Sequence, residues 1–583
     1  MQSVSQAYAT SMKSPLRNRG YIQVSCGLYS DTAQADASVG SGTSGQTFYS
    51  KTDIFSYADR SKVYGTLEAD FCKVDGSMYF LPRSGSGVTR YNNGFVSSGL
   101  VSSSNITVVI TLSSAMTWYG LTIDFGPNYP VDFDIVAGGN TTQIRGNATS
   151  SFRLNQTFTD VSSLFIVFRT MSHAQNRARI YYIRFGVGLN YTNRNVLGSE
   201  LSRRVSPISE FVPQYDFTLR VLNIDQYLNV DNPNSPINFL NSDTRLTVRY
   251  GYELDNGTIE WLPTQALYCS SWEADNFSAT IRAQDVLRNL NAEYYKGKYV
   301  DAGKSLAALA LDVFASAGIT SYSIDTSLYS IYTCLPLPRV SHKEALQLIA
   351  NAGRCVLNFT REGGVSIKPL GSTAESFTME HMDMTSYPVA RKLESVKSLT
   401  VQYQTWFKSE DIVEEQIYSE SLTVETDEER IFLFNDPMFS YRITISPTPS
   451  ASGGGIVDSG TYFIKVQFPN SGTYTLNIYA KRFKIVDREY TLNVSGKGNP
   501  VVWKNPIVND ILVAYPLATW LRTYYLSEME YEYDTRGNPE LDVTDLIGQE
   551  NDYVQNMTVR LTDYTFRFNQ AFSGHVVARR EGV

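Results

Sequence analysis

The sequence predicts a mainly β protein with a minor helical part, and three observations support this prediction. Hydrophobic and polar residues alternate along short segments such as 217–221 and 246–250, and a period of two is typical of strands with one buried face. The chain contains 39 Tyr and many Thr and Val residues, which favour strands over helices. Helical periodicity occurs in only three segments. For 583 residues, about 100–200 residues per domain predicts roughly three to five domains.

The pattern of the first 190 residues predicts an N-terminal arm, a strand and a β-sandwich. Residues 1–20 are polar, and we expect them to be ordered only where another subunit holds them. Residues 21–27 form a predicted strand, which a Ser/Gly/Thr-rich loop follows at about 38–46. From about residue 96, short strands separated by turn residues predict an all-β sandwich of the jelly-roll type.

The middle of the chain predicts a second β unit and then a small helical module. The strands between residues 203 and 290 suit an antiparallel barrel or sandwich, and no cluster of nucleophile, base or metal ligand interrupts them. Residues 304–317 have helical periodicity with Gly318 as a stop signal. Ser341 and Glu344 form a predicted capping box for a second helix that ends at Gly353.

Residues 373–583 return to β character. A Gly-rich loop lies at 450–455, and one helix is expected near 505–526 with a kink at Pro516. No tandem repeat of fixed period occurs.

Composition makes several functions improbable. The net charge is −8, and the 50 Lys and Arg residues do not form the basic stripe that non-specific phosphate binding requires, so we predict no nucleic-acid recognition. The N-terminus lacks the apolar region of a secretion signal. The longest apolar window, 511–521, is shorter than the roughly 20 residues of a membrane span. The five scattered cysteines suit buried free thiols rather than a disulfide framework.

Catalytic and metal-binding motifs do not emerge from the sequence. The four histidines are far apart, and His342 is expected to be an exposed polar residue in the first turn of its helix. Asp124, Asp132 and Asp134 have the oxygen ligands that calcium prefers, but solvent exposure is the favoured interpretation. We therefore predict no cofactor, no metal site and no enzyme activity, although distant residues could still assemble a hydrolytic site.

Several motifs resemble those of tail-tip proteins from phages and prophages of Gram-positive bacteria. The motifs are residues 64–68 with 74–77, Val205-Ser-Pro-Ile-Ser209, residues 229–237, 251–257 and 341–355, Leu335-Pro-Leu-Pro338, and Arg536-Gly-Asn-Pro539. The resemblance covers most of the chain from about residue 20 and is looser after residue 373.

This resemblance implies a structural baseplate or tail-tip hub with tube-protein-like β-barrel domains. The implied domains are an N-terminal arm and first part of the hub domain (1–95), an inserted galactose-binding-like β-sandwich (96–190), a hub β-barrel domain (191–300), a small helix–helix–hairpin module (301–372) and a C-terminal hub β domain with one helix (373–583). The implied assembly is a homotrimeric ring that joins the hexameric tail tube to the distal tip. Its expected partners are tail tube and distal tail proteins, the tape measure protein, and tip or fibre proteins. The expected location is the virion, after assembly in the host cytoplasm.

The sandwich also resembles galactose-binding-like (discoidin-type) domains in residues 121–125, 131–135 and 179–185. Its candidate sugar contacts are Trp118, Tyr119, Tyr129, His173 and Arg177, because aromatic faces stack on sugar rings and Arg binds pairs of hydroxyl groups. Burial of Trp118 and Tyr119 in a core or interface is at least as good an interpretation. Two alternative functions follow: a lectin that binds a host cell-wall glycan during adsorption, or a peptidoglycan-cleaving tail enzyme.

Overall fold

The computed structural model describes residues 2–41 and 101–581, apart from short gaps, together with three pairs of strand residues. The gaps are residues 128, 173–179, 225, 233–234, 241–243, 362, 372–376, 410, 449–453 and 556, and the pairs are 49–50, 65–66 and 97–98. The predicted mainly β class is confirmed. The described residues contain five α-helices: α1 (Gln6–Met12), α2 (Asp31–Asp36), α3 (Leu306–Ala317), α4 (His342–Ala352) and α5 (Ile511–Leu526).

Two sheets, one from each half of the chain, form the centre of the fold. The N-terminal sheet contains Gly20–Tyr29, residues 186–192, Val196–Arg204, Gln214–Leu222, Arg245–Glu253, Ile259–Pro263, Leu267–Ala274 and Ser278–Gln284. The C-terminal sheet contains Thr378–Met379, Val389–Lys392, Met529–Thr535, Leu546–Gln549, Met557–Phe568 and Phe572–Glu581. The two sheets are continuous, because Ser199 pairs with Phe568 and Arg204 with Asp563. One hydrophobic core extends beneath both sheets.

The first sandwich, the unit inserted into the N-terminal sheet, has its own core. Its strands are Ser38–Ser41, Val101–Asp124, Pro130–Ala137, Asn140–Ile144, Ser151–Met171 and residues 182–185. Helix α2 also belongs to it, because Ala33 is buried in the same core as Phe125 and Phe168. The sandwich therefore includes residues before 96, where the sequence placed its start. Ser38–Ser41 is too short and polar to show a hydrophobic alternation.

The helical module follows the prediction closely. Helix α3 begins after Ser305 and ends at Gly318, whose φ of 71° is the left-handed conformation that glycine adopts readily. The predicted capping box of α4 is present, with Ser341 and Glu344 each bonding the other's backbone N–H. The remaining strands of the module are Glu293–Tyr294, Lys304–Ser305, Tyr322–Ile324, Tyr332–Thr333, Val340–Ser341, Val356–Phe359 and Val365–Lys368.

The C-terminal region contains a second sandwich that the sequence did not separate from its surroundings. Its sheets are Glu415–Val424, Gly472–Arg482 and Met438–Ser446, and Glu428–Leu433, Phe463–Phe468 and Gly455–Ser459. A neighbouring three-stranded sheet (Lys484–Asn493, Val396–Phe407 and Asn499–Lys504) packs against α5. Pro516 lies inside α5, which starts at residue 511 rather than near 505. Short 3-10 helices occur at Pro236–Phe239, Val286–Asn289, Thr326–Tyr329 and His381–Asp383.

The N-terminal arm differs from the expectation, because it packs on its own chain. Tyr8 and Met12 of α1 are buried against Tyr252 of the N-terminal sheet. The Tyr8 hydroxyl also donates a 3.0 Å hydrogen bond to Asn538 Oδ1, in the loop after Met529–Thr535. Aromatic and aliphatic burial of this kind orders the arm without a second subunit.

Candidate assembly face and predicted sugar site

Eight strands from both halves of the chain form one continuous antiparallel run, which we call the eight-strand sheet. Across the sheet they are Val389–Lys392, Met529–Thr535, Phe572–Glu581, Met557–Phe568, Val196–Arg204, Gln214–Leu222, Ser278–Gln284 and Leu267–Ala274. Because each neighbour runs in the opposite direction and the number of strands is even, the first and the last strand are antiparallel to each other.

One face of the eight-strand sheet is polar, and the other packs into the core. Tyr531 and Tyr533 are buried, so the alternating Glu530, Glu532 and Asp534 lie on the opposite face. Ion pairs join neighbouring strands on this face: Arg391–Glu532 at 2.5 Å, Arg567–Glu200 at 2.7 Å and Arg282–Glu273 at 2.8 Å. The face therefore carries many charges that largely neutralise each other. The Glu-Tyr-Glu-Tyr-Asp pattern at 530–534 was the signal in the sequence that could have identified it.

Both outer strands of the eight-strand sheet keep a free edge among the described residues. Val389–Lys392 pairs with Met529–Thr535 alone, and all four of its residues are exposed. Leu267–Ala274 meets its second neighbour only at its first residues, where Leu267 and Tyr268 pair with Arg245–Glu253. A free edge presents backbone N–H and C=O groups to another chain. These two edges are the main candidates for contacts between subunits.

A buried charge cluster holds the two sheets and the helical module together. The Arg203 guanidinium, 3% exposed, donates a 2.9 Å hydrogen bond to Asp542 Oδ1, and Gln265 Nε2 donates to Asp542 Oδ2 at 2.8 Å. Arg361 of the helical module lies 3.6 Å from the same carboxylate. Burial alone would raise the pKa of Asp542, but the charges of Arg203 and Arg361 outweigh it and lower that pKa. The carboxylate is thus held ionised where three units meet.

Of the three predicted sugar contacts that the structure describes, two are buried. Trp118 and Tyr119 are each 2% exposed. Trp118 stacks on Phe158 in the core of the first sandwich, and the Tyr119 hydroxyl bonds that of Tyr227. Tyr129 packs against the same core, half-buried. Buried rings cannot stack on a sugar, so the placement of Trp118 and Tyr119 favours the core interpretation.

His173 and Arg177 lie outside the described residues. The sugar site of the first sandwich therefore keeps only Tyr129 as a partly exposed candidate within the described chain.

Two polar residues of the sequence prediction are buried rather than solvated. Asp134 accepts hydrogen bonds from Arg145 Nη1 at 2.7 Å and from Arg169 Nη2 at 2.8 Å, so the favoured solvent interpretation is wrong for this residue. His342 is 6% exposed, and its ring nitrogens bond the Ala292 carbonyl and the Ser316 hydroxyl. Their partners come from other segments of the chain, which local sequence patterns do not reveal.

The described part of the chain contains neither a candidate metal cluster nor a helix able to span a membrane. No group of three or more His, Cys, Asp and Glu side chains there is arranged to hold a metal ion. The described helices include none with the length and apolarity of a membrane span. Cys26, Cys269 and Cys355 are buried free thiols, as predicted, whereas the free thiol Cys334 is only partly buried, and Cys72 lies outside the described residues.

Comparison with known proteins gives weak similarities in structure. No protein-family model matches the sequence, and no curated protein matches it. Among solved structures, the chain is similar to the 43 kDa tail protein of prophage MuSo2 from Shewanella oneidensis, with 10% identity over 77% of this chain and 98% of that chain and a TM-score of 0.36. A tail protein from Neisseria meningitidis MC58 has 7% identity over 78% and 98%, with a TM-score of 0.38. Prophage tail protein gp18 from Listeria monocytogenes EGD-e has 8% identity over 67% and 91%, with a TM-score of 0.35. These structural neighbours are tail proteins of prophages and bacteria.

Proposed function

We propose that this chain is a non-enzymatic structural hub at the tip of a bacteriophage tail, in which three copies close a ring. The observation that carries the proposal is the eight-strand sheet, which has one free edge at each end among the described residues. The motifs that resemble tail-tip proteins, such as Val205-Ser-Pro-Ile-Ser209 and Arg536-Gly-Asn-Pro539, supply the biological setting.

The strand count supports a ring made by head-to-tail contacts. A second copy in the same orientation presents its Val389–Lys392 edge to the Leu267–Ala274 edge of the first, and the two strands are antiparallel because eight is even. Such a heterologous contact repeats around an axis and closes when the rotation fits. Closure also removes the edges, which are otherwise a risk for aggregation.

The polar face supports a water-filled channel inside the ring. Three copies of eight strands make a sheet larger than the 16–18 strands of porins, whose barrels already leave an aqueous channel. The ion pairs Arg391–Glu532, Arg567–Glu200 and Arg282–Glu273 suit a wet wall, whereas the buried Tyr531 and Tyr533 on the other face suit packing within each subunit.

Each chain contributes two sheet units to the ring, so three chains contribute six. The six sheet units match a hexameric tail tube on one side, and the three chains match a threefold tip on the other. The partners in this proposal are tail tube and distal tail proteins, the tape measure protein, and tip or fibre proteins. The ring resides in the virion after assembly in the host cytoplasm.

Native mass measurement of the purified chain tests the ring. We expect a trimer for the unaltered protein and a folded monomer for the double variant Tyr387→Asp, Val389→Asp, because these residues, 92% and 56% exposed, flank and begin the free edge. Charge on an edge strand opposes pairing with another chain.

A matched control is the variant Val413→Asp, Val457→Asp, which alters valines of similar exposure (76% and 49%) beside and within the second sandwich. This variant is expected to remain trimeric. A monomeric unaltered protein at all concentrations, equal oligomeric states of the two variants, or cleavage of host peptidoglycan by the protein would each contradict the proposal.

A further inference from the structure

The second sandwich presents an outward face made of hydroxyl and amide groups, which we call the hydroxyl face. It consists of Ser419, Ser421, Thr423, Thr473, Thr475 and Asn477, on the strands Glu415–Val424 and Gly472–Arg482. The alternate residues Leu476 and Ile478 are fully buried in the core of the sandwich, so the hydroxyl face points away from it. Thr444 extends the face onto the third strand, Met438–Ser446, opposite Asn477.

Cross-strand hydrogen bonds hold the side chains of the hydroxyl face in place. The Ser419 hydroxyl donates to Asn477 Oδ1 at 2.7 Å, and the hydroxyls of Ser421 and Thr475 lie 3.0 Å apart. Asn477 Nδ2 in turn donates to Thr444 Oγ1 at 3.2 Å. A hydroxyl has one donor and two acceptor positions, so each group keeps capacity for a partner outside the sheet. Side chains that are already ordered lose little entropy when a ligand binds.

The absence of charge distinguishes the hydroxyl face from two other outward sheet faces of the described chain. The three-stranded sheet beside α5 has a similar ladder, with Thr400 bonded to Thr491 at 2.8 Å. That ladder continues into acidic residues, since Gln402 bonds Glu489 and Gln404 bonds Asp487. The eight-strand sheet is covered with ion pairs. Charge on exposed strands opposes aggregation, and the hydroxyl face lacks this protection.

An aromatic and cationic border closes one end of the hydroxyl face. Tyr479 follows Asn477 on the same side of its strand, and the Arg442 guanidinium carbon lies 4.1 Å from its ring centroid. Glu414 fixes Arg442 with hydrogen bonds of 2.6–3.2 Å. Tyrosine together with Ser and Asn is also enriched in antibody combining loops, where it provides adaptable polar recognition.

We infer that the hydroxyl face binds a neutral polysaccharide lying across the sheet. Sugar hydroxyls are donors and acceptors without charge, as are the groups of this face. The six residues of the hydroxyl face carry no charge with which an anionic polymer could pair, and Arg442 on its border is already paired with Glu414. The centre of the face also lacks the apolar side chains that are common in the cores of protein interfaces. The inference rests on the second sandwich alone and does not depend on a trimeric ring.

Affinity electrophoresis of the full-length protein tests the inference. Native gels contain a neutral glucan, mannan or galactan, and parallel gels contain the polyanion hyaluronate. We expect at least one neutral polysaccharide to retard the protein and hyaluronate to leave its mobility unchanged. The variant Ser421→Lys, Thr475→Lys places two long side chains on the face and is expected to weaken retardation at least about tenfold, a loss of the size a few hydrogen bonds provide.

The matched control is Thr400→Lys, Thr491→Lys, which makes the same change in the neighbouring charged ladder and should not alter retardation. A milder variant, Ser421→Ala with Thr475→Val, keeps the shape of the face and should reduce retardation without unfolding. The inference is overturned if none of the neutral polysaccharides changes the mobility of the protein. Retardation that survives in both hydroxyl-face variants also overturns it, because the sugar would then bind elsewhere.

Discussion

The two sandwiches use aromatic and polar residues in opposite ways. The first has strands of up to 24 residues and a core of packed rings, in which Trp118 stacks on Phe158 and Phe125 meets Phe133 edge to face. The second has strands of 5–11 residues and a small core around Leu476 and Ile478. Trp118, which suggested sugar binding, serves packing in the first sandwich. The hydroxyl face, whose chemistry suits a sugar, lies on the second sandwich. Its residues follow the same polar–apolar alternation as any half-buried strand.

Removing a core ring is the largest change that would test this comparison. Trp118→Ala leaves a cavity among Phe158 and Phe185, and we expect a loss of about 3–5 kcal/mol in the free energy of unfolding. Chemical denaturation followed by fluorescence measures it. Trp118→Phe keeps most of the ring and removes a buried N–H without a protein partner, so its cost should be smaller. Unchanged stability in Trp118→Ala would show that this ring is not part of a core.

The buried carboxylate of the first sandwich predicts an intermediate effect. Asp134→Asn removes the charge that Arg145 and Arg169 both bind, and we expect a loss of about 2 kcal/mol, typical of hydrogen bonds to charged groups. The arginines themselves remain about half exposed, which limits the cost. Asp132→Asn, whose neighbour is the exposed Gly146 N–H, is the control and should change stability little.

The same residue predicts how stability depends on pH. Burial favours the neutral acid, but the hydrogen bonds and charges of Arg145 and Arg169 outweigh it, so the pKa of Asp134 is lowered. Because the pKa is lowered in the folded state, the ionised Asp134 carboxylate contributes its full stabilisation above the unfolded pKa of about 3.9. This stabilisation is lost as the pH falls through the pKa of Asp134 in the folded state. The stability difference between the unaltered protein and Asp134→Asn should therefore shrink below about pH 4. A difference that grows in acid would contradict this assignment.

Single changes on the hydroxyl face should have the smallest effect on stability. Ser421→Ala removes one exposed cross-strand bond, to Thr475, and exposed cross-strand pairs contribute roughly 0.2–1 kcal/mol. Thermal unfolding of the full chain measures this change. A large loss of stability would mean that the ladder serves the fold of the second sandwich rather than an outside partner.

Local structure was predictable where the chemistry is local. The two helices of the helical module, their caps at Ser305 and Ser341, and the stop at Gly318 depend on residues within a few positions of one another. The turn between the paired strands Arg245–Glu253 and Ile259–Pro263 also depends on local chemistry, since Gly257 adopts a φ of 79° there.

Predictions about exposure failed where the partners are distant in the sequence. His342 was expected in solvent, but its ring nitrogens bond the Ala292 carbonyl oxygen and the Ser316 hydroxyl, which lie 50 and 26 positions away in the sequence. The arm was expected to need another subunit, but Tyr252 and Asn538 hold Tyr8 within the same chain. Ser38–Ser41 joined the first sandwich only through pairing with residues 108–111.

The alternation of polar and apolar residues by itself determined that this chain is mainly β, because side chains in a strand point alternately to two faces. Caps and helical periodicity, which act over short distances, likewise determined helices α3 and α4, whereas α1 and α2 were not predicted. Only the tertiary structure decided that Glu200 meets Arg567, 367 positions away, and so joined both halves into the eight-strand sheet. Strand order depends on which distant segments bury their apolar faces together, and a periodic pattern is the same for every possible neighbour.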